Sequence, residues 1–171
     1  ICLAMEINSY FEQNPDDFDN FVSLYKDVRT QIKKRLPGAI VFVSFQYEQF
    51  LGLLGGQGGL PRHAPQWELF ERFGETLDAI GISTYPMDRL GHFGDPSLLP
   101  SDYYSQITKH SSKPIIFAEV GWPTSSTVEG SPQAQAAFLQ RFRALITGLD
   151  VPVVNWFMLF DAKGFGDLFE S

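Results

Sequence analysis

Apolar side chains recur at three- and four-residue spacing at Phe18, Phe21, Val22, Tyr25, Val28 and Ile32, which predicts a helix laying one face on a core. Asn14-Pro15-Asp16-Asp17 starts it and Pro37-Gly38 ends it. The next apolar run, Ile40-Val-Phe-Val-Ser-Phe45, does not alternate with polar residues, as expected of a β-branched and aromatic strand buried on both faces. A Gly-rich loop from Gly52 to Pro61 leads to a second helix, from Gln66 to about Leu77, with Trp67, Phe70 and Phe73 on its apolar face. The strand Ala79-Ile-Gly-Ile-Ser-Thr-Tyr85 follows, then a long loop marked by Pro86, Gly91, Gly94, Pro96 and Pro100. Ser101 caps a short helix, and Lys113-Pro114 leads into the strand Ile115-Ile-Phe-Ala-Glu-Val-Gly-Trp122. Ser131-Pro132 pairs a cap with proline at the first helical position, and that helix runs through Phe138, Phe142 and Leu145 to Gly148. Val151 to Phe160 is the last strand, and Ile1 to Met5 reads as the first.

The strand starts Ile40, Ala79, Ile115 and Val151 fall 36 to 39 residues apart, each interval holding a helix, so the expected class is α/β with a parallel sheet. Residues 1–171 form one domain of about five strands and four helices. A closed (β/α)8 TIM barrel needs about 250 residues, so the alternatives are an open five-stranded sheet or the last five strands of a barrel. The chain opens at strand register with no charged n-region or cleavage site, as an interior piece would, and this favours the partial barrel.

Charge and composition exclude several classes of partner. Thirteen basic against 20 acidic residues give a net charge of −7, which removes the electrostatic footprint for nucleic acid or anionic lipid. No apolar stretch is long enough to span a membrane. One cysteine, Cys2, forms no internal disulfide, and His63, His92 and His110 lack metal-ligand spacing, so neither metal nor cofactor is expected. Gly55 to Gly59 fits neither a dinucleotide nor a phosphate-loop pattern and reads as a mobile loop beside a cleft. His63 and His92 read as solvated loop histidines. Asp16, Asp17 and Asp19 read as carboxylates at a helix start rather than a calcium loop.

Two carboxylates break the apolar pattern. Glu6 directly follows Ile1 to Met5, and Glu119 lies inside the run Ile115 to Trp122. A glutamate in a doubly buried strand is costly unless it is paired or faces a polar cavity. Both fall at the carboxyl ends of their strands, where parallel sheets and barrels build their sites. Two such groups facing one site suit glycosidic cleavage, one protonating the leaving oxygen and the other attacking the anomeric carbon. A buried ion pair, or for Glu6 a frayed terminus, is the competing structural explanation.

Leu3-Ala-Met-Glu-Ile-Asn8 resembles the strand-four motif of clan A glycoside hydrolases, and Phe117-Ala-Glu-Val-Gly-Trp-Pro-Thr124 is similar to their strand-seven nucleophile motif. Within the clan the resemblance is closest to the arabinogalactan endo-galactanase family, with the plant-type beta-glucan endohydrolases second. It covers the whole chain as strands four to eight of a TIM barrel. It implies a retaining endo-acting hydrolase of a plant-type or microbial polysaccharide, with Glu6 as acid/base and Glu119 as nucleophile. It also implies that Tyr85 orients Glu119, that Asn8, Trp122 and Trp156 bind the carbohydrate, and that the setting is extracellular. The sequence departs from the motif at Met5, where the clan carries an asparagine. A non-catalytic carbohydrate-binding relative of the same fold is the alternative. Self-association through the open sheet edges is expected in either case.

Overall fold

A computed structural model describes residues 1–54, 62–86, 93–126 and 130–157. Four parallel strands, β1 (Ser44–Gln46), β2 (Ile80–Thr84), β3 (Ile115–Val120) and β4 (Val153–Trp156), lie side by side in chain order. Five α-helices connect or flank them: α1 (Ile7–Gln13), α2 (Phe18–Arg35), α3 (Tyr47–Phe50), α4 (Glu68–Phe73) and α5 (Pro132–Ile146). The architecture is thus α/β with a four-stranded parallel sheet, the class that the alternation of strands and helices predicts. Among the described residues no helix is long and apolar enough to cross a membrane, and no cluster of side chains could hold a metal ion.

The core is largely aromatic. Phe18, Tyr25 and Phe45 all pack on Phe73, with ring centroids 5.7, 5.2 and 6.4 Å away, which joins α2 and β1 to α4. Edge-to-face contact between Phe117 and Phe142, at 4.8 Å, joins β3 to α5. Such pairs add about 0.5–1.5 kcal/mol each beyond their buried area. Alternate residues Phe42, Ala79 and Ile116 point the other way and form a smaller cluster with Ala118 on the opposite face of the sheet.

Several elements differ from the sequence reading. Ile1 to Met5 runs parallel to residues 40–44, with Phe42 N donating to Ile1 O at 3.0 Å and Leu3 N to Phe42 O at 2.9 Å. The ladder then slips, Ser44 N reaching Ala4 O at 3.0 Å, so only the Cys2–Phe42 bridge is regular and no fifth strand forms. The short helices α1 and α3 follow strand-like segments directly, where sequence periodicity has no room to register. The short helix expected after Ser101 is a 3₁₀ turn at Ser105–Lys109, and the second helix ends early, at Phe73, followed by a 3₁₀ turn at Gly74–Thr76. Ser131 caps α5 as expected, its hydroxyl accepting from Ala134 N at 3.0 Å. Gly55 to Gly59, His92 and the end of the last strand at 158–160 lie outside the described residues.

The amino-terminal end of the sheet is held by Asp78, just before β2. Its carboxylate accepts from Arg29 at 2.6 Å, from Lys33 at 2.7 Å and from the main-chain N of Val41 at 2.8 Å, tying α2 to both neighbouring segments. Burial alone would raise its pKa; the hydrogen bonds from Arg29, Lys33 and Val41 outweigh burial and hold it below the usual aspartate range. A carboxyl depressed in the folded state stabilises above its unfolded pKa, about 3.9, and the contribution is lost as the pH falls through the folded value. Asp78→Asn is therefore expected to cost about 1–3 kcal/mol near neutral pH. Chemical denaturation of variant and parent across pH should show the gap closing below about pH 4.

Candidate active site

The carboxyl ends of β1, β2 and β3 converge on one cluster of acidic and hydroxyl side chains. Ser44 on β1 and Ser83 on β2 are buried, with their hydroxyls 3.5 Å apart. Glu6 is anchored from below by its main-chain N, which donates to Ser44 Oγ at 3.0 Å. Its backbone is left-handed, φ 49° and ψ 42°, the one such non-glycine among the described residues. That conformation costs a non-glycine residue about 1–2 kcal/mol and persists only when its surroundings enforce it. Here the slipped ladder before it and the start of α1 after it enforce the turn. Ser83 neighbours the Glu6 carboxyl and favours its ionised form.

Glu119 reaches the same point by a different local device. The β2–β3 register shifts between Ile82 and Ser83, so that Phe117 pairs with Ile82 but Glu119 pairs with Ser83. The irregularity re-aims one side chain at the end of the strand, as bulges beside functional sites do. Tyr85, one residue past β2, donates its phenol to Glu119 Oε2 at 2.6 Å. Burial first, then the hydrogen bond to Glu119 and that group's charge, push the Tyr85 hydroxyl well above its usual range, so it serves as a hydrogen-bond donor. Glu6 is likewise pushed above the usual carboxylate range, by burial first and then by the charges of Glu119 and Glu48, with Ser83 acting in the opposite direction.

Glu48 is the functional-end residue that the sequence reading missed. It sits on the single turn α3, is fully buried, and takes part in no ion pair among the described residues. Oε1 accepts from Thr84 Oγ1 at 2.5 Å and from Tyr103 OH at 2.9 Å, and Oε2 from Gln46 Nε2 and Tyr85 N, both at 3.0 Å. Burial raises its pKa, while the bonds from Thr84, Tyr85 and Tyr103 oppose the rise. The available signal was a charged residue three positions after the doubly apolar run that ends at Phe45, weaker than the immediate succession that marked Glu6.

Of the residues singled out from the sequence, the structure brings Glu6, Tyr85 and Glu119 together and leaves three elsewhere. Asn8 is buried and spent on the main chain of Gln46, donating to its carbonyl at 3.0 Å and accepting from its N at 2.8 Å, so it staples α1 to β1. Trp122 is 3% exposed and stacked on Phe138 at 5.0 Å, which makes it a core side chain and not a wall of a cleft. Trp156 packs toward the same Phe138 at 6.1 Å, against α5. The register shift between Phe117 and Val120 in the β3–β4 pairing leaves the next residue, Phe157, beside Tyr85, with ring centroids 6.4 Å apart. Phe157 is 41% exposed and lies beside the phenol that binds Glu119. Gly121 permits that approach, since a Cβ there would lie 2.4 Å from Phe157 O. Met5 is exposed and His63 bonds the neighbouring carbonyl of Ala64. Asp17 accepts from Tyr10 and Asp19 pairs with Arg72, both structural uses.

The cluster can therefore present one carboxyl inclined to keep its proton beside another held by a phenol, with an exposed aromatic ring at the rim. No protein-family model, curated protein or solved structure matches this chain.

Glu6 allows a stability test. Its folded pKa is raised, so its ionisation opposes folding: the cost is absent below the unfolded value, about 4.3, and grows as pH rises from there through the folded pKa. Glu6→Gln should raise Tm near neutral pH by a few degrees, the scale of about 1 kcal/mol in a chain of this size. Calorimetry should find the difference gone below about pH 4. An unchanged Tm throughout would mean that neither burial nor the neighbouring carboxylates perturb Glu6.

Proposed function

We propose that this chain is strands four to eight of a clan A glycoside hydrolase barrel and that its activity is retaining, endo-acting hydrolysis of a polysaccharide. The observation that carries this is the gathering of Glu6 and the Tyr85-bound Glu119 around the Ser44–Ser83 pair, Glu6 through its main-chain N on Ser44 and Glu119 through its register with Ser83, each delivered by its own backbone irregularity. Glu119 attacks the anomeric carbon while Glu6 gives its proton to the leaving oxygen; Glu6 then takes a proton from the water that releases the glycosyl-enzyme. The crowding of Glu6 by burial and by two other carboxylates favours the protonated form that the first step needs. Tyr85 orients Glu119 by its hydrogen bond. Phe157 offers the apolar ring on which a sugar face can stack. An arabinogalactan-type substrate follows from the resemblance of the two motifs.

One observation favours a second reading, a carbohydrate-binding relative without turnover. Met5 stands where the clan carries an asparagine, and a thioether cannot donate a hydrogen bond to a sugar hydroxyl. A mechanism-based fluorosugar separates the two. Covalent labelling of Glu119 is expected of the hydrolase and sugar binding without labelling of the relative, while absence of both labelling and binding overturns a carbohydrate site. For the hydrolase, Glu6→Ala should lower kcat by about 10²–10⁴-fold. Azide should then restore turnover as a glycosyl azide of retained configuration, whereas the opposite configuration would exchange the two roles.

The barrel reading also gives β4 a neighbour. Val153 and Val154 are 49% and 42% exposed, and Leu139 on the adjoining face of α5 is 45% exposed. Apolar strands with unpaired edges recruit other chains. The 171-residue chain by itself is expected to self-associate. Light scattering that shows a stable monomer with sharp thermal unfolding would favour an open sheet over a partial barrel.

A further inference from the structure

Glu48 has no part in a two-glutamate displacement, yet the site end of the sheet is organised around it. Its four donors come from β1, from the end of β2 and from the segment carrying Tyr103, and they saturate both carboxylate oxygens. An amide or apolar residue would fill the same space without a buried charge, so packing alone does not account for a glutamate here. Two of the donors are consecutive: Thr84 Oγ1 and the main-chain N of Tyr85. The other end of Tyr85 is the phenol that holds Glu119 at 2.6 Å. One carboxylate thus fixes the root of the side chain whose tip fixes another.

Resting on the two-glutamate reading above, we propose that Glu48 is a positioning residue, which clamps the chain at Thr84 and Tyr85 so that the phenol meets Glu119, and which places a third negative charge against Glu6. The groups around it are Gln46 and Tyr47 from β1 and α3, Thr84 at the end of β2 with Tyr85 just past it, and Tyr103 and Tyr104 beyond. Tyr104 OH lies 3.1 Å from Thr84 Oγ1 and extends the chain of hydroxyls. No lysine, arginine or histidine hydrogen-bonds Glu48 among the described residues. Its carboxyl is thus held by neutral donors alone, and its charge stands third, after burial and the charge of Glu119, among the causes that raise the Glu6 carboxyl.

Glu48→Gln separates charge from packing. The amide oxygen can face Tyr85 N and Gln46, and the amide nitrogen can face the Thr84 and Tyr103 hydroxyls, which rotate to accept. In carboxyl-carbon NMR titration of the whole chain, without substrate, Glu48→Gln should move the Glu6 midpoint to lower pH. An unmoved midpoint in a folded variant overturns the proposal. Should Glu48→Gln not fold, Tyr103→Phe removes one donor, weakens the ionised form of Glu48, and should move Glu6 the same way. On a hydrolysed substrate, Glu48→Ala should lower kcat about 10- to 100-fold, the scale of a displaced catalytic group, with KM little changed. Glu48→Gln should recover most of that loss, with the alkaline limb of the pH profile shifted to lower pH. In the double variant with Tyr85→Phe, the loss should not exceed that of the larger single change; full additivity overturns the clamp. Absence of turnover in the parent chain would count against the hydrolase, while the NMR titration still decides the role of Glu48.

Discussion

A carboxylate removed from water must be resolvated by the protein, and in this chain that constraint falls hardest on Glu48. It is fully buried and no cation among the described residues pairs with it, so the hydroxyls of Thr84 and Tyr103, the amide of Gln46 and the main-chain N of Tyr85 do what water would have done. The four donors come from three stretches of chain, at Gln46, at Thr84 and Tyr85, and at Tyr103. Meeting the demands of one group therefore fixes the ends of β1 and β2 and the approach of the segment at Tyr103. The placement of Tyr85, and through it Glu119, follows from the same arrangement.

The sheet explains why acidic groups gather there. Strands β1, β2 and β3 are largely buried, and the interior is filled by interlocking aromatic rings such as Phe18, Phe45, Phe73, Phe117 and Phe142. Polar chemistry has room only where strands stop. Two departures from regular pairing then aim the side chains: the left-handed backbone at Glu6 and the shifted β2–β3 register at Glu119.

What could be read from the sequence was what repeats. The period of Phe18 to Ile32 marked α2, Ser131-Pro132 marked the start of α5, and the doubly apolar runs marked the strands. What escaped was set by single-residue events that leave no period. The slip opposite Ser44 turned the expected first strand into a bridge and a helix start, so Asn8, read as a sugar contact, became a staple to Gln46. On β4, Trp156 turns toward α5, and the next residue, Phe157, turns toward Tyr85 instead. Strand parity flips with a slip of one residue, and no local pattern distinguishes the two registers. Glu48 was hidden because a single helical turn, capped by Gln46, carries it from the chain's surface-like polar run back into the core.

The two ends of the sheet treat the same kind of group in opposite ways, and this contrast bears on function. At the amino end, Asp78 is met by Arg29 and Lys33, and its charge is cancelled where it stands. At the carboxyl end, Glu6, Glu48 and Glu119 share hydroxyls and amides, and no ion pair among the described residues includes any of them. A fold under pressure for stability alone has a cheap remedy for mutual repulsion, a single lysine or arginine at the cluster, and the fold applies that remedy at the other end. Left-handed backbone at Glu6 adds a second local cost at the same point. Costs concentrated at the strand ends, and absent where the sheet is only being held together, are what an arrangement kept for proton transfer would show.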